Sequence, residues 1–369
     1  MSSDLEALAA LGVAAALSAL LTPTMARLAR RGGILDRPVG YKGHGQPTPY
    51  LGGTAILLSV LAATMITAGV SSPVPEITVC AVAVCALGTL DDWRPIPPAI
   101  RLVAHAALAA AIWEAGAGWG LASSDGINLV LTIGWVVLAT NTLNLIDNLD
   151  GTAGAAAAGS ALGIAVIALT QGGADWAALL AAGLLGSCLG FLPYNLAKPS
   201  RIFLGDGGSN LLGFLLSVAI MGAVSGQSGA IGLVAAVLLI GTAIIDTALT
   251  ITSRWRRGVN PLTGGRDHVT HRVNAWVGSP QRTAAVIGAV QIVLSGLAVA
   301  AVELGAPALP LAAAMALVLG GSVAMVVWRG GFGSVQPGAA PIPPIGGLVN
   351  MARDRMEQRE PVIVRKEAG

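Results

Sequence analysis

The sequence predicts an all-α, polytopic integral membrane protein of about eleven transmembrane helices, with its N-terminus outside and its C-terminus in the cytoplasm. Three observations carry this expectation. Hydrophobic residues make up 54% of the 369 and charged residues 11%, far from the composition of soluble domains. The mean hydropathy is +0.74, and apolar runs long enough to span a bilayer recur along the chain. The basic residues fall in alternate connections between those runs, as the positive-inside rule requires.

The runs lie at 5–22, 51–70, 76–90, 99–116, 127–146, 152–171, 175–193, 209–225, 229–252, 283–303 and 307–328. The first follows the acidic stretch "MSSDLEA". A signal peptide begins with a positive region, so the first run reads as a retained helix. Residues 1–329 then form a multi-span domain with its working loops on the cytoplasmic side. The stretch 330–369 begins "GGFGSVQPGAAPIPPIGG" and turns polar, which reads as a mobile tail. Cys80, Cys85 and Cys188 all sit within apolar runs and read as small core residues.

Charge placement sets the orientation. Arg27, Arg30, Arg31, Arg37 and Lys42 follow the first run; Arg94 and Arg101 flank the third connection; Lys198 and Arg201 precede the eighth run. Six arginines from Arg254 to Arg282 fill the connection after the ninth run. The intervening connections hold Glu76, Glu114, Asp125, Asp175 and Glu303, with no basic residue. All the acid-bearing motifs then fall on the cytoplasmic face. The net charge of +2 says little about partners, and nothing suggests nucleic-acid binding.

Those motifs carry the chemistry. Carboxylates are costly in hydrocarbon, so acids placed repeatedly at membrane margins need a reason. In "LDDW", Asp91 and Asp92 close the third run; a carboxylate pair at a helix C-terminus opposes the dipole and suits a divalent cation or proton transfer better than a cap. In "NTLNLIDNLDG", Asn144, Asp147 and Asp150 are three residues apart, which on a helix would stack them on one face. In "FLGDGGSN", Asp206 lies in what reads as a Gly-rich loop. Gly205, Gly207 and Gly208 would let a phosphate approach, and Ser209 would cap the following helix. "GGRDHVTHR" places His268 and His271 beside Arg266 and Arg272. The spacing lacks the further ligands of a zinc site, and phosphate binding suits the arginines better. Asp246, in "AIIDTALT", is an acid inside the ninth run and a functional candidate by position, or else an interhelical hydrogen-bond partner.

"KGHGQPTPYLGG", "LGTLDDW", "NTLNLIDNLDG", "FLGDGGS", "IIDTALTITSR" and "GGRDHVTHR" occur in this order over nearly the whole chain to residue 272. Together they resemble the polyprenyl-phosphate N-acetylhexosamine-1-phosphate transferases, the superfamily that also holds the phospho-MurNAc-pentapeptide translocase. The resemblance implies transfer of a sugar-1-phosphate, foremost GlcNAc-1-phosphate, from a UDP-N-acetylhexosamine to undecaprenyl or decaprenyl phosphate. UMP is released, and the reaction proceeds at the cytoplasmic face of a bacterial plasma membrane with magnesium, or manganese in its place. A homodimer is compatible with it. It also implies roles. Asp91, Asp92, Asp206, His268 and His271 would be catalytic, the first three of them at the metal. Lys42, His44, Asn144, Asp147, Asp150, Asn195, Gly205, Gly207, Ser209, Arg266 and Arg272 would bind substrate.

The sequence also departs from the pattern. The translocase branch has consecutive histidines in the last loop and the UDP-GlcNAc branch a His-Ile-His-His stretch. Here "HVTH" puts Thr270 in the third place, nearer the UDP-GlcNAc branch. Arg101 stands where relatives often have lysine, which keeps the charge and changes its geometry. The stretch "YNLAKPSR" before "FLGDGG" is one residue longer than expected, which weakens the assignment of Asn195. The rival from another class is a secondary transporter, whose acids would sit near the midplane of broken helices in paired repeats. A CDP-alcohol phosphotransferase would need a tight Asp/Gly run with an arginine in one helix pair.

Overall fold

A computed structural model describes residues 3–36, 47–69, 71–227, 229–260, 265–305 and 320–321. All belong to one unit, Met1–Gly330; residues 331–369 form a second unit outside the described set. The described chain is almost entirely helical. Its helices are α1 (Ser3–Gly32), α2 (Gly52–Ala68), α3 (Val74–Trp93), α4 (Pro98–Glu114), α5 (Asp125–Ile146), α6 (Thr152–Thr170), α7 (Asp175–Asn195), α8 (Gly205–Ala223), α9 (Gly229–Leu239), α10 (Gly241–Arg256), α11 (Val269–Val277) and α12 (Pro280–Leu304). One antiparallel pair, β1 (Leu35–Asp36) with β2 (Thr48–Pro49), precedes α2.

Seven of these helices are long and apolar enough to cross a membrane, and up to eight if α9 and α10 count as one span broken by 75°. The protein is therefore a polytopic membrane protein. Ten of the expected runs coincide with a helix or with the broken pair; the run at 307–328 falls almost wholly outside the described residues. Two elements escaped the hydropathy reading. β1–β2 is too short to show a period, and α11 lies inside the basic connection, where no apolar run marks it.

Helix α8 is the centre of the bundle, with nearly every residue buried. It packs on α3 and α5, while α1 packs on α2 and α7, and α6 on α7 and α12. Lipid supplies little drive for helix association, so small residues that let backbones meet do much of the joining. A methyl group at Gly213 would lie 2.6 Å from Ala139 O of α5, and one at Gly222 2.5 Å from the Trp176 ring of α7. The three cysteines are free and buried.

Candidate active site

The C-terminal end of α3 meets the N-terminal ends of α2 and α8 and the C-terminal end of α5. "FLGDGGSN" is not a loop. Asp206, Gly207, Gly208 and Ser209 lie in the first turns of α8, whose leading amides have no intrahelical partner. Asp92 supplies one: its Oδ1 accepts from Asp206 N–H at 3.0 Å and its Oδ2 from Gly207 N–H at 3.3 Å. A carboxylate of the chain thus sits as an anion at this helix N-terminus.

The glycines serve the same junction. Gly205 has φ +75, and a Cβ there would meet Asp92 Oδ2 at 2.6 Å. A Cβ on Gly207 would strike the Thr89 hydroxyl, and one on Gly53 the backbone of Gly208. Gly52 N–H and Gly53 N–H in turn donate to Phe203 O and Leu204 O at 3.1 and 3.0 Å. Leu51, at φ 84, turns the chain into this arrangement at a cost of about 1–3 kcal/mol for a bulky residue so placed. Close packing of α2 and α3 on α8 accounts for Gly205 and Gly207 without a phosphate contact. Ser209 is no cap either, since its hydroxyl donates to Gly205 O at 3.1 Å within the helix.

Asp91 differs from its neighbour. Its Oδ1 accepts from Ile96 N–H at 2.6 Å, and its Oδ2 pairs with Arg101 of α4. Arg101 Nη1 also lies 3.6 Å from Asp206 Oδ2. Asn144 Nδ2 reaches Asp206 Oδ1 and Ser209 Oγ, each at 2.9 Å. The result is a chain Asp91–Arg101–Asp206–Asn144 across four helices. The Asp206 side chain is 38% exposed and that of Asp91 only 7%, so Asp206 is the more open carboxylate.

Asn144, Asp147 and Asp150 do not share a helical face. Helix α5 ends at Ile146, with Asp147 as its C-cap. Thr152 Oγ1 reaches back to Ile146 O at 2.8 Å and Leu149 O at 2.7 Å, which closes a turn where three-residue spacing would have continued a helix. The Asp147 carboxyl is raised well above the usual carboxylate range by burial and by Asp206, Asp150 and Asp92. Asn195 is buried and bonded at both ends of its amide: Oδ1 accepts from Gly151 N–H at 2.7 Å, and Nδ2 donates to Ile202 O at 3.0 Å. It ties two loops together, a structural role that accounts for its burial.

The histidine connection forms a second, ordered arm. Asp246 of α10 accepts from Val269 N–H at 2.7 Å and pairs with His268 Nδ1 at 2.7 Å. His268 Nε2 stands 3.4 Å from Arg254 Nη2. Arg254 also binds Asp267 at 2.6 and 3.0 Å, and Arg257 binds it at 2.5 Å. Burial opposes the charge on Asp267, but the two arginines outweigh it and hold the carboxyl down to about 2. Arg272 Nε donates to Asp267 O at 3.2 Å. His268 is therefore enclosed by partners. His271 is not: its Nδ1 is buried with no hydrogen-bond partner among the described residues, and burial, His268 and Arg266 lower its pKa to about 4. Arg266 is exposed. Thr270 Oγ1 donates to Asn148 Oδ1, which docks the arm on the turn that carries Asp147 and Asp150. Lys42 and His44 lie outside the described residues.

Asp206 and Asp147 offer hard oxygen donors of the kind a divalent ion takes. No group of three or more His, Cys, Asp or Glu among the described residues converges on one point. Asp206 has the exposure for a ligand; Asp92 has both oxygens turned to backbone amides.

Arg254, Arg257 and Asp267 were missed as site-forming residues. Asp267 lies inside "GGRDHVTHR", but its arginine partners are 10 and 13 residues away, beyond any local spacing signal. The packing partners Gly52, Gly53 and Thr89 were missed for the same reason.

Residues 74–224 match glycosyl transferase family 4. That stretch contains the whole Asp91–Arg101–Asp206–Asn144 chain and stops before the histidine arm. A Streptomyces coelicolor protein named as a glycosyltransferase is 33% identical over 316 residues, 82% of this chain and 71% of its own length. The decaprenyl-phosphate N-acetylglucosaminephosphotransferase of Mycolicibacterium smegmatis is 29% identical over 324 residues, 77% of this chain and 79% of its own. The undecaprenyl-phosphate alpha-N-acetylglucosaminyl 1-phosphate transferase of Escherichia coli is 26% identical over 264 residues, 67% and 71% of the two chains.

Proposed function

Because the chain belongs to glycosyl transferase family 4, we propose that it transfers GlcNAc-1-phosphate from UDP-GlcNAc to a polyprenyl phosphate, with release of UMP. The observation that carries this reading is the Asp91–Arg101–Asp206–Asn144 chain, at one end of the bundle, in a chain whose relatives are named for that transfer. We place the active site on the cytoplasmic face of a bacterial plasma membrane, with the N-terminus outside and about eleven spans, on the alternation of basic connections.

Asp206, with Asp147 beside it, would hold magnesium or manganese, whose charge offsets the repulsion between the two phosphates that must meet. Asp91 holds Arg101 toward Asp206, so the guanidinium faces the same space with donors suited to a phosphate. Asn144 fixes the orientation of the Asp206 carboxylate. Asp92 sets α8 in place and keeps Asp206 at its first turn. His271, neutral at pH 7, would offer its ring to a phosphate or sugar oxygen. Arg266 adds positive charge at its side, and the Asp246–His268–Arg254–Asp267 network stiffens the arm that carries both. An apolar cavity of about 380 Å³, lined by Thr54, Leu57, Cys85, Ala86, Thr89 and Leu90 among others, opens beside this end of α3; its surface suits an isoprenoid.

The test is transfer by the purified protein from UDP-GlcNAc to decaprenyl or undecaprenyl phosphate, with and without magnesium. UDP-GalNAc and UDP-MurNAc-pentapeptide are the competing donors. A lipid product from UDP-GlcNAc supports the reading; a product only from UDP-MurNAc-pentapeptide replaces it with the translocase reaction.

A further inference from the structure

Helices α9 and α10 meet at 75° around Ile240. A break in an apolar span strands backbone carbonyls and amides, which lipid cannot satisfy. Here one side chain of α12 supplies most of the partners. Gln291 is fully buried. Its Nε2 reaches Leu238 O at 3.1 Å, Leu239 O at 3.0 Å and Ser295 Oγ at 3.2 Å. Its Oε1 accepts from Thr242 N–H at 3.1 Å and Thr242 Oγ1–H at 2.8 Å. The amide thus bonds the end of α9 and the start of α10 at once. Ser295 Oγ then donates to Gly159 O at 2.9 Å and anchors this side of α12 to α6. Gly241 completes the contact, since a Cβ there would meet Leu294 Cδ1 at 2.8 Å.

We infer that Gln291 is a positioning residue for the transfer reaction: by clasping the α9–α10 break it sets the direction in which α10 carries Asp246, Arg254 and Arg257 to the histidine arm. The lever can be scaled. At 1.5 Å per residue, Asp246 lies roughly 7 Å beyond Gly241 and Arg254 roughly 20 Å. A 10° change in the direction of α10 would then move Asp246 by about 1.3 Å and Arg254 by about 3.4 Å. Either shift breaks contacts now at 2.6–2.7 Å, because hydrogen bonds fail beyond about 3.5 Å. A Gln that merely satisfied buried backbone would leave the arm unchanged when replaced by a residue that still filled the space.

The test uses Q291M, which keeps the volume and removes every hydrogen bond of the amide. Carbethoxylation of histidines by diethyl pyrocarbonate, read residue by residue by mass spectrometry, needs no activity. His268 is 5% exposed and His105 of α4 is 2% exposed, so both are protected in the wild type. Q291M should modify His268 at least about 10-fold faster, the loss expected for one such hydrogen bond, with His105 still protected. Unchanged protection of His268 would overturn the assignment. If both histidines become reactive, Q291M has unfolded and Thr242→Val decides: a selective rise at His268 supports the clasp, and none overturns it. The kinetic arm rests on the transferase reading: Q291M should lower kcat about 10-fold or more alone, and add little in a D246N background, because the two act through one network. Additive losses would contradict it. Wild-type protein that makes no lipid product would sink the proposed function while leaving the protection result intact.

Discussion

Replacing Asp92 separates two carboxylates that neighbour each other in sequence and differ in their surroundings. Asp92 accepts from the amides of Asp206 and Gly207 at 3.0 and 3.3 Å, the leading orphan donors of the most buried helix. Hydrogen bonds to a charged group contribute about 1.5–3 kcal/mol each, and the longer of the two belongs at the low end. An anion at a helix N-terminus adds about 0.3–2 kcal/mol. Because that term resides largely on the same amides, D92A should destabilise the protein by about 3–5 kcal/mol, and D92N, which keeps one neutral acceptor, by about half of that. The assay is thermal unfolding in detergent followed by transfer kinetics on the fraction that remains folded. D92N should melt clearly below wild type. D92N should keep measurable activity where D206N keeps none. If D92N melts like wild type and is as inactive as D206N, Asp92 acts in the chemistry and the capping assignment is wrong.

Other consequences reach the rest of the site. N195A should lower stability by about 1–3 kcal/mol, through Gly151 N–H and Ile202 O left unpaired, and leave the KM for the nucleotide sugar within about 2-fold; a large KM rise would restore Asn195 to the nucleotide. G207A should reduce the folded yield sharply, because its Cβ would enter Thr89 where α3 and α8 touch; a well-folded, inactive G207A would instead point to phosphate contact. The histidine arm should loosen on acidification in two windows, followed by hydrogen exchange over residues 265–277. His271 has its pKa lowered to about 4, so the unfolded arm binds the proton first and stability falls from about pH 6.5 toward 4. Asp267 is held down to about 2, so its contribution, about 2 kcal/mol, is present above about pH 4 and lost as pH falls through 2. H271N should flatten the upper window only and D267N the lower one only.

The helices at 152–170 and 175–195 were legible because hydropathy alone marks an apolar run that fills a bilayer. The acid motifs were legible because Asp91, Asp147 and Asp206 each break such a run at its edge. What could not be read was how those acids divide the work. Asp92 is bonded to residues 114 and 115 positions away, and nothing local tells a helix-capping carboxylate from a reactive one. The Asn144–Asp147–Asp150 stripe failed for a local reason: Thr152 closes a turn at Ile146, and equal spacing does not reveal where a helix stops. His268 and His271 looked equivalent in "HVTH", yet Asp246 and Arg254, both on α10, bond the first, while Nδ1 of the second is buried with no partner among the described residues. Their division depends on the bend at Ile240, which hydropathy reads as one continuous run.

The central claim is that phosphate and sugar move together onto the lipid. Two preparations of UDP-GlcNAc, one with radiophosphorus in the α-phosphate and one in the β-phosphate, test it with purified protein, polyprenyl phosphate and magnesium. The β-label should pass into the lipid phase, with the α-label left in water as UMP, and D206N should abolish both events. Both labels remaining in water while the sugar alone enters the lipid, or full activity in D206N, would contradict the account.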